Sequence, residues 1–223
     1  MNKLTIIIPT RHRINKLEKT LGTIPNLPYI SIHIVCDGDV ETYNYLKEKY
    51  ENKIRISLVE SQKGSLWCRN YIIQDENDGV LCGTDDIEFE EMSIQNAYET
   101  FNKHFLDDDG VVGFVQKPGQ FDFAGVALVG KRFIERYPQK QLFCPVYFHF
   151  GSQEIYRLCE KIKQETKKTT FVQDENAVIY HYHPSFFPEM MDKTHEEARL
   201  HRSRDLLLSK TRKNKGLVWG RVV

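Results

Sequence analysis

Val80-Leu81-Cys82-Gly83-Thr84-Asp85-Asp86-Ile87-Glu88-Phe89 is the most informative stretch of the chain. A short apolar run stops at a glycine and is followed by two adjacent acids. In an α/β protein this pattern puts carboxylates at the C-terminal end of a strand, where open sheets bind ligands. Two carboxylates side by side repel, so they require a nearby cation, or one of them must hold a proton. A hard divalent cation clamped between a carboxylate and a diphosphate is a common use of such a pair. The competing structural reading is a helix cap, because acids favour the start of a helix expected over 89–105.

Working outward, the first half alternates strand and helix. Strands are expected at 4–9, 30–36, 54–59 and 79–82, and helices at 11–21, 40–50, 65–73 and 89–105. Short loops between such units imply parallel strands with right-handed crossovers and helices on both faces. After Gly110 the pattern changes to strands at 111–115 and 123–129, helices at 132–137 and 153–163, and short strands at 170–172 and 177–180. Mixed or antiparallel pairing is expected there. From Lys193 the composition is helical. The run Asp107-Asp108-Asp109-Gly110 precedes a strand instead of ending one, and reads as a solvated turn.

Composition narrows the possibilities. The chain has 223 residues, 40% hydrophobic and 28% charged, with a formal net charge of zero. That suits one generous domain and supplies no global field for nucleic acid or anionic membrane. The charge is unevenly spread, however: Arg199 to Arg221 holds eight Lys or Arg and the single acid Asp205. The five cysteines, Cys36, Cys68, Cys82, Cys144 and Cys159, are odd in number and contain no CxxC, against both a disulfide framework and a zinc site. No apolar run nears the roughly 20 residues of a membrane span, and a strand begins at once, so neither an integral membrane segment nor a signal peptide is expected. A cytoplasmic setting fits.

No GxGxxG follows the first strand and no GxxxxGK[ST] occurs, so neither the dinucleotide fingerprint nor the P-loop applies. Ile6-Ile7-Ile8-Pro9-Thr10-Arg11, the acid Asp37 after the second strand, Arg69-Asn70 ahead of Asp85-Asp86, and Gly125-Val126-Ala127-Leu128-Val129-Gly130 stand in their place. In order and spacing these resemble the family 2-like glycosyltransferases of GT-A fold, over roughly residues 4–183. The resemblance implies a nucleotide-diphospho-sugar transferase fold, with a Rossmann-like parallel sheet and a smaller mixed or antiparallel acceptor-side sheet. The matching organisation is one catalytic domain over 1–190, with a nucleotide-sugar half at 1–106 and an acceptor half at 107–190, and a basic helical tail at 191–223.

The resemblance further implies a hexosyltransferase-like enzyme that uses a nucleoside-diphosphate sugar, expected to be a UDP-sugar, with Mn²⁺ or Mg²⁺ and an inverting displacement. Pro9, Thr10, Arg11 and Asp37 would hold the nucleoside, and Arg69 the diphosphate or base. The physics agrees, since a carboxylate accepts from a uracil N–H or a ribose hydroxyl and Arg pairs with phosphate. Structural alternatives stand beside each: a solvated helix start for Arg11, an Asx turn for Asp37 and a surface cation for Arg69. In the family's D-x-D motif the first acid is here Thr84. That leaves Asp86 as metal ligand and Asp85 as the contact to donor ribose or sugar. His181 and His183 flank Tyr182 on one strand face and suit a metal or diphosphate contact, or else a polar strand edge. The base expected at a helix start is represented only by Glu154, because Ser152 and Gln153 stand where acids are usual; Glu154 is either that base or the structural acid next to it. Phe143, Tyr147, Phe148, Phe150, Phe186 and Phe187 read as core, with an acceptor platform as the alternative.

Two rival functions follow. A nucleotidyltransferase acting on sugar phosphates shares the metal and the fold class, but normally has a Gly-rich loop where Pro9-Thr10-Arg11-His12-Arg13 stands. A non-catalytic nucleotide-sugar-binding module is the other. The acceptor is a glycan or, through the basic tail, a modified base in DNA.

Overall fold

The computed structural model describes every residue except Asn77 and Phe121. The elements run β1 (Leu4–Thr10), α1 (Ile14–Gly22), β2 (Ile30–Asp37), α2 (Val40–Tyr50), β3 (Arg55–Val59), α3 (Ser65–Ile73), β4 (Gly79–Cys82), β5 (Ile87–Phe89), α4 (Ser93–His104), β6 (Val111–Lys117), β7 (Ala127–Val129), α5 (Lys131–Ile134), α6 (Gln153–Thr166), β8 (Phe171–His181) and α7 (Lys193–Asn214).

All eight strands form one sheet in the order β3-β2-β1-β4-β7-β6-β8-β5. β1 pairs in parallel with β2 and β4, and β2 with β3, as the alternating pattern predicts. β7 is antiparallel to both β4 and β6, while β6 runs parallel to β8 and β5 antiparallel to β8. Among the described residues the smaller acceptor-side sheet that the resemblance implies is not a separate one. The short strand β7 joins the edge of β4 and carries β6 and β8 on as the same sheet. A consequence matters for the site: β1, β2, β4, β6 and β8 all point the same way, so their C-terminal ends share one edge.

The core lies on both faces of this sheet, as period-two side-chain alternation demands. Ile7, Val35, Val80 and Val129 face Leu66 and Ile72 of α3 and Leu158 and Ile162 of α6. Ile6, Ile8, Ile34 and Leu128 face Leu17 of α1, Leu46 of α2, and Ile94, Ala97 and Phe101 of α4. All five cysteines are buried free thiols.

Several boundaries differ from the sequence reading for local reasons. α1 begins at Ile14, not residue 11, because His12 has φ 57° and breaks the helical path. The helix expected from residue 89 begins at Ser93, with Met92 at its N-cap at φ 64°, and β5 occupies Ile87–Phe89. Asp85 and Asp86 therefore do not cap a helix. The strands expected at 170–172 and 177–180 are one strand, β8, whose pairing with β6 shifts register between Phe114 and Val115. Asp109 is not a solvated turn residue: it is 1% exposed and ion-paired to Arg136 (2.6 Å) and Lys168 (2.6 Å). Among the described residues no helix is long and apolar enough to cross a membrane.

Candidate active site

The shared strand edge opens into a cavity of about 380 Å³. β1 delivers Pro9 and Thr10, β2 delivers Asp37, the segment after β4 delivers Thr84, Asp85 and Asp86, and β8 delivers His181, with His183 just beyond. Arg11 and Arg69 also line it. Every binding and metal candidate from the sequence thus lines one cavity, Arg69 from α3 and the rest from strand ends and the segments just beyond them.

The two acids are buried, at 3% and 5% exposure, and the cation their repulsion demands is Arg13. Its Nη1 donates to Asp85 Oδ1 (2.9 Å) and Asp86 Oδ2 (3.3 Å), and its Nε and Nη2 bind Asp192 (3.0 and 3.0 Å). The left-handed residue at position 12 lets Arg13 turn inward instead of starting a solvated helix. Thr10 Oγ1 donates to Asp85 Oδ2 (2.8 Å). Burial, with the charge of Asp86 beside it, pushes the Asp85 carboxyl up despite Arg13 and Thr10. Burial opposes ionisation of Asp86 too, but His181, His195 and Arg13 outweigh it and hold that carboxyl well below the ordinary range. The pair is therefore asymmetric: Asp86 is the firmly anionic member.

His181 Nε2 lies 3.5 Å from Asp86 Oδ1, and His195 Nε2 lies 3.5 Å from Asp86 Oδ2. The His183 ring is 5.4 Å from that of His181 and 5.6 Å from that of His195. Burial, with His181 adding, lowers His183 to about 4. Burial works against the His195 charge, yet Asp192 and Asp86 raise it overall. Sequence reasoning missed Arg13 and His195. The first was hidden by the misplaced helix start. The second stands 109 residues from Asp86 in the chain, on α7, and no local pattern pointed to it.

Asp37 does close a turn: its carboxylate accepts from the backbone N–H groups of Lys63 (2.7 Å) and Gly64 (2.9 Å). Gly64 has φ 94°, and a Cβ there would sit 2.3 Å from the Phe148 carbonyl oxygen, so the turn admits only glycine. Arg11 donates to the Asp37 and Gly38 carbonyls (2.8 and 2.9 Å) and pairs with Glu197 (2.8 Å). Arg69 is no surface cation. It is 6% exposed, donates to the Gly83 carbonyl (2.7 Å) and lies 5.6 Å from the Phe143 ring.

Glu154, the candidate base, lies apart from the other site residues. It does not line the cavity. It sits 2% exposed on the inner face of α6, beside Ile155 and Leu158, and its carboxylate is gripped by Tyr147 Oη (2.6 Å) and by Arg212 Nε and Nη2 (2.5 and 3.0 Å). That placement, in a buried ion pair away from the cavity, favours the structural-acid reading of the two left open. The carboxylate that does line the cavity beside Ser152 is Asp122, whose Oδ2 accepts from Ser152 Oγ (2.5 Å). Burial raises the Asp122 carboxyl above its ordinary value, against the Ser152 hydroxyl and the Ala124 N–H. Asp122 lies in an irregular segment before β7 that reads as strand or turn in sequence, which is why it escaped notice.

α7 completes the wall. Asp205, fully buried, accepts from the N–H groups of Phe148 (3.1 Å), His149 (2.8 Å) and Phe150 (3.0 Å). This fixes the loop that lines the cavity through Phe148, His149 and Phe150, whereas Phe143 and Tyr147 are core residues.

The strand-edge cavity gathers paired acids, imidazoles and arginines on a mixed α/β sheet, and comparison with known proteins gives the class. The glycosyl transferase family 64 domain matches residues 4–127, more than half of the chain, and the chain belongs to that family of glycosyltransferases. No curated protein matches it in sequence. Its fold is similar to that of S. aureus TarS 1–349, with a TM-score of 0.58 and 16% identity, over 84% of this chain and 62% of that one. The same TarS region in complex with UDP aligns at a TM-score of 0.62 and 15% identity, over 95% and 73%. In complex with UDP-GlcNAc it aligns at 0.59 and 16%, over 80% and 58%.

Proposed function

We propose that the chain moves a sugar from a nucleoside-diphosphate sugar, with UDP as the nucleotide, to an acceptor hydroxyl, on a fold of GT-A type. The observation that carries this is the buried Asp85-Asp86 pair at the C-terminal edge of the parallel strands, inside a cavity that also holds Thr10, Arg11, Asp37, Arg69 and Asp122. UDP and UDP-GlcNAc in TarS support the choice of nucleotide.

Among the described residues no group of three or more His, Cys, Asp or Glu forms a metal cage. A cation shared with a diphosphate does not need one, because substrate phosphates and water fill most positions and one or two carboxylates suffice. An ionised Asp86 with the His181 imidazole 3.5 Å away fits that need, and Mn²⁺ or Mg²⁺ held there, with His183 adjacent, would supply Lewis-acid stabilisation of the leaving diphosphate. The chain's own groups do the rest. Arg13 keeps Asp85 and Asp86 compatible in one buried place. Thr10 orients Asp85 toward the donor. Arg69 adds positive charge close to the phosphates. Asp122 takes the proton from the acceptor hydroxyl, with Ser152 holding its carboxylate in place.

Incubation with UDP-sugars should release UDP, slowly by hydrolysis without acceptor and faster with it. Release of pyrophosphate from UTP and a sugar phosphate would instead make the chain a nucleotidyltransferase, and UDP-sugar binding with no turnover at all would make it a binding module. The anomeric configuration of the product, read by NMR, tests the inverting displacement expected from the sequence.

A further inference from the structure

We propose that Arg199 and Arg202 of α7 clamp the donor's diphosphate, making the basic C-terminal helix part of the nucleotide site. This rests on the donor reading above and names the contacts it needs. His195, Ala198, Arg199 and Arg202 all line the cavity. Residues spaced three and four apart share a helix face, so α7 turns one stripe toward the site.

The remaining arginines of the cavity already have partners. Arg11 holds Glu197 and two carbonyls, Arg13 holds Asp85, Asp86 and Asp192, and Arg69 holds the Gly83 carbonyl. Arg199 and Arg202 are exposed, and among the described residues neither meets a carboxylate. Two arginines one helical turn apart, both lining the cavity and neither meeting a carboxylate among the described residues, match a ligand with two adjacent phosphates, because the guanidinium fork pairs with phosphate oxygens in two parallel bonds.

The helix that carries them is pinned. Its N-cap Asp192 binds Arg13 and Lys16, Asp205 holds the 148–150 loop, and Arg212 holds Glu154. A rigid support lowers the ordering cost of binding. Arg204, on the same helix, lines a different cavity and is the internal control.

Calorimetric titration of the full chain with UDP, UMP and uridine tests the clamp, using wild type, R199Q/R202Q, R199K/R202K and R204Q. Loss of charge-assisted phosphate contacts should weaken UDP binding to R199Q/R202Q by ~10-fold or more. Uridine binding should be unchanged, so the preference for UDP over UMP collapses. The lysine pair should recover part of it, and R204Q should match wild type. An unchanged UDP-to-UMP ratio in R199Q/R202Q overturns the clamp alone. So does duplex DNA binding that this variant loses while UDP affinity stays intact. Wild-type protein that binds none of the three ligands overturns the donor reading, and the clamp with it.

Discussion

Glu154→Ala separates a structural acid from a catalytic one. The Glu154 side chain is 3% exposed and accepts from Tyr147 Oη and from two nitrogens of Arg212. Removing one partner of a buried ion pair costs about 3–5 kcal/mol, chiefly through the charge left behind. Arg212 is 20% exposed and regains some water, which places the cost near the lower end, about 3 kcal/mol. In a chain of this size each kcal/mol moves the midpoint by about 2–4 °C, so Tm should fall by roughly 6–12 °C. Differential scanning fluorimetry reads that shift, and UDP release measured well below the new midpoint reads turnover. Turnover per folded molecule should stay close to wild type. A general base would instead cost about 10²–10⁴ in rate. A Glu154→Ala protein with an unmoved Tm and a rate down by that factor would refute the reasoning and return the base role to Glu154.

Asp122→Asn should do the reverse, lowering UDP release onto acceptor by about 10²–10⁴ with little change in Tm. Because burial raises the Asp122 carboxyl and the base works ionised, wild-type activity should fail on the acid side at a pH above that of an ordinary aspartate; a pH–rate profile checks it. Asp86→Ala should abolish the Mn²⁺-dependent part of the UDP-induced thermal shift, which for ligand at about 100 times Kd is roughly 2.7 kcal/mol of stabilisation, and EDTA should do the same to wild type. A full-sized Mn²⁺ effect in the variant would remove Asp86 as ligand. Asp39 caps α2 by accepting from Thr42 N (3.2 Å) and also receives the His12 N–H (2.6 Å), so Asp39→Ala should cost about 1–2 kcal/mol at neutral pH. Burial opposes its ionisation, but the Thr42 and His12 donors win and lower the carboxyl below its ordinary 3.8. Its contribution is therefore present above 3.8 and lost as pH falls through the depressed value, so the Tm gap between variant and wild type should narrow in acid.

Much of the fold was readable because the first half repeats a local code. The helices at 40–50 and 65–73 and the strand at 79–82 coincide with α2, α3 and β4. Apolar runs ending in Pro, Gly or Asp mark buried parallel strands, since both faces must be covered. The errors fall where the backbone leaves its usual regions. His12 and Met92 take positive φ, which sequence periodicity does not register, and each displaced a helix start by several residues. The His12 error concealed Arg13, and the Met92 error concealed β5 and made the paired acids look like a cap.

What the sequence alone determined is the chemistry available at each strand end: Thr10 closing β1, Asp37 closing β2, Asp85 and Asp86 after β4, His181 closing β8. These follow from short-range order, because a strand's last residue is set by the turn that follows it. Only the tertiary structure decided which distant groups answer them. Arg13 neutralises the acids, His195 and Arg202 arrive from α7, Asp122 faces the cavity, and Glu154 is withdrawn to Arg212, 58 residues on. Pairing of buried charges depends on distance in space and on loss of water, and neither quantity is written in the spacing of residues along a chain.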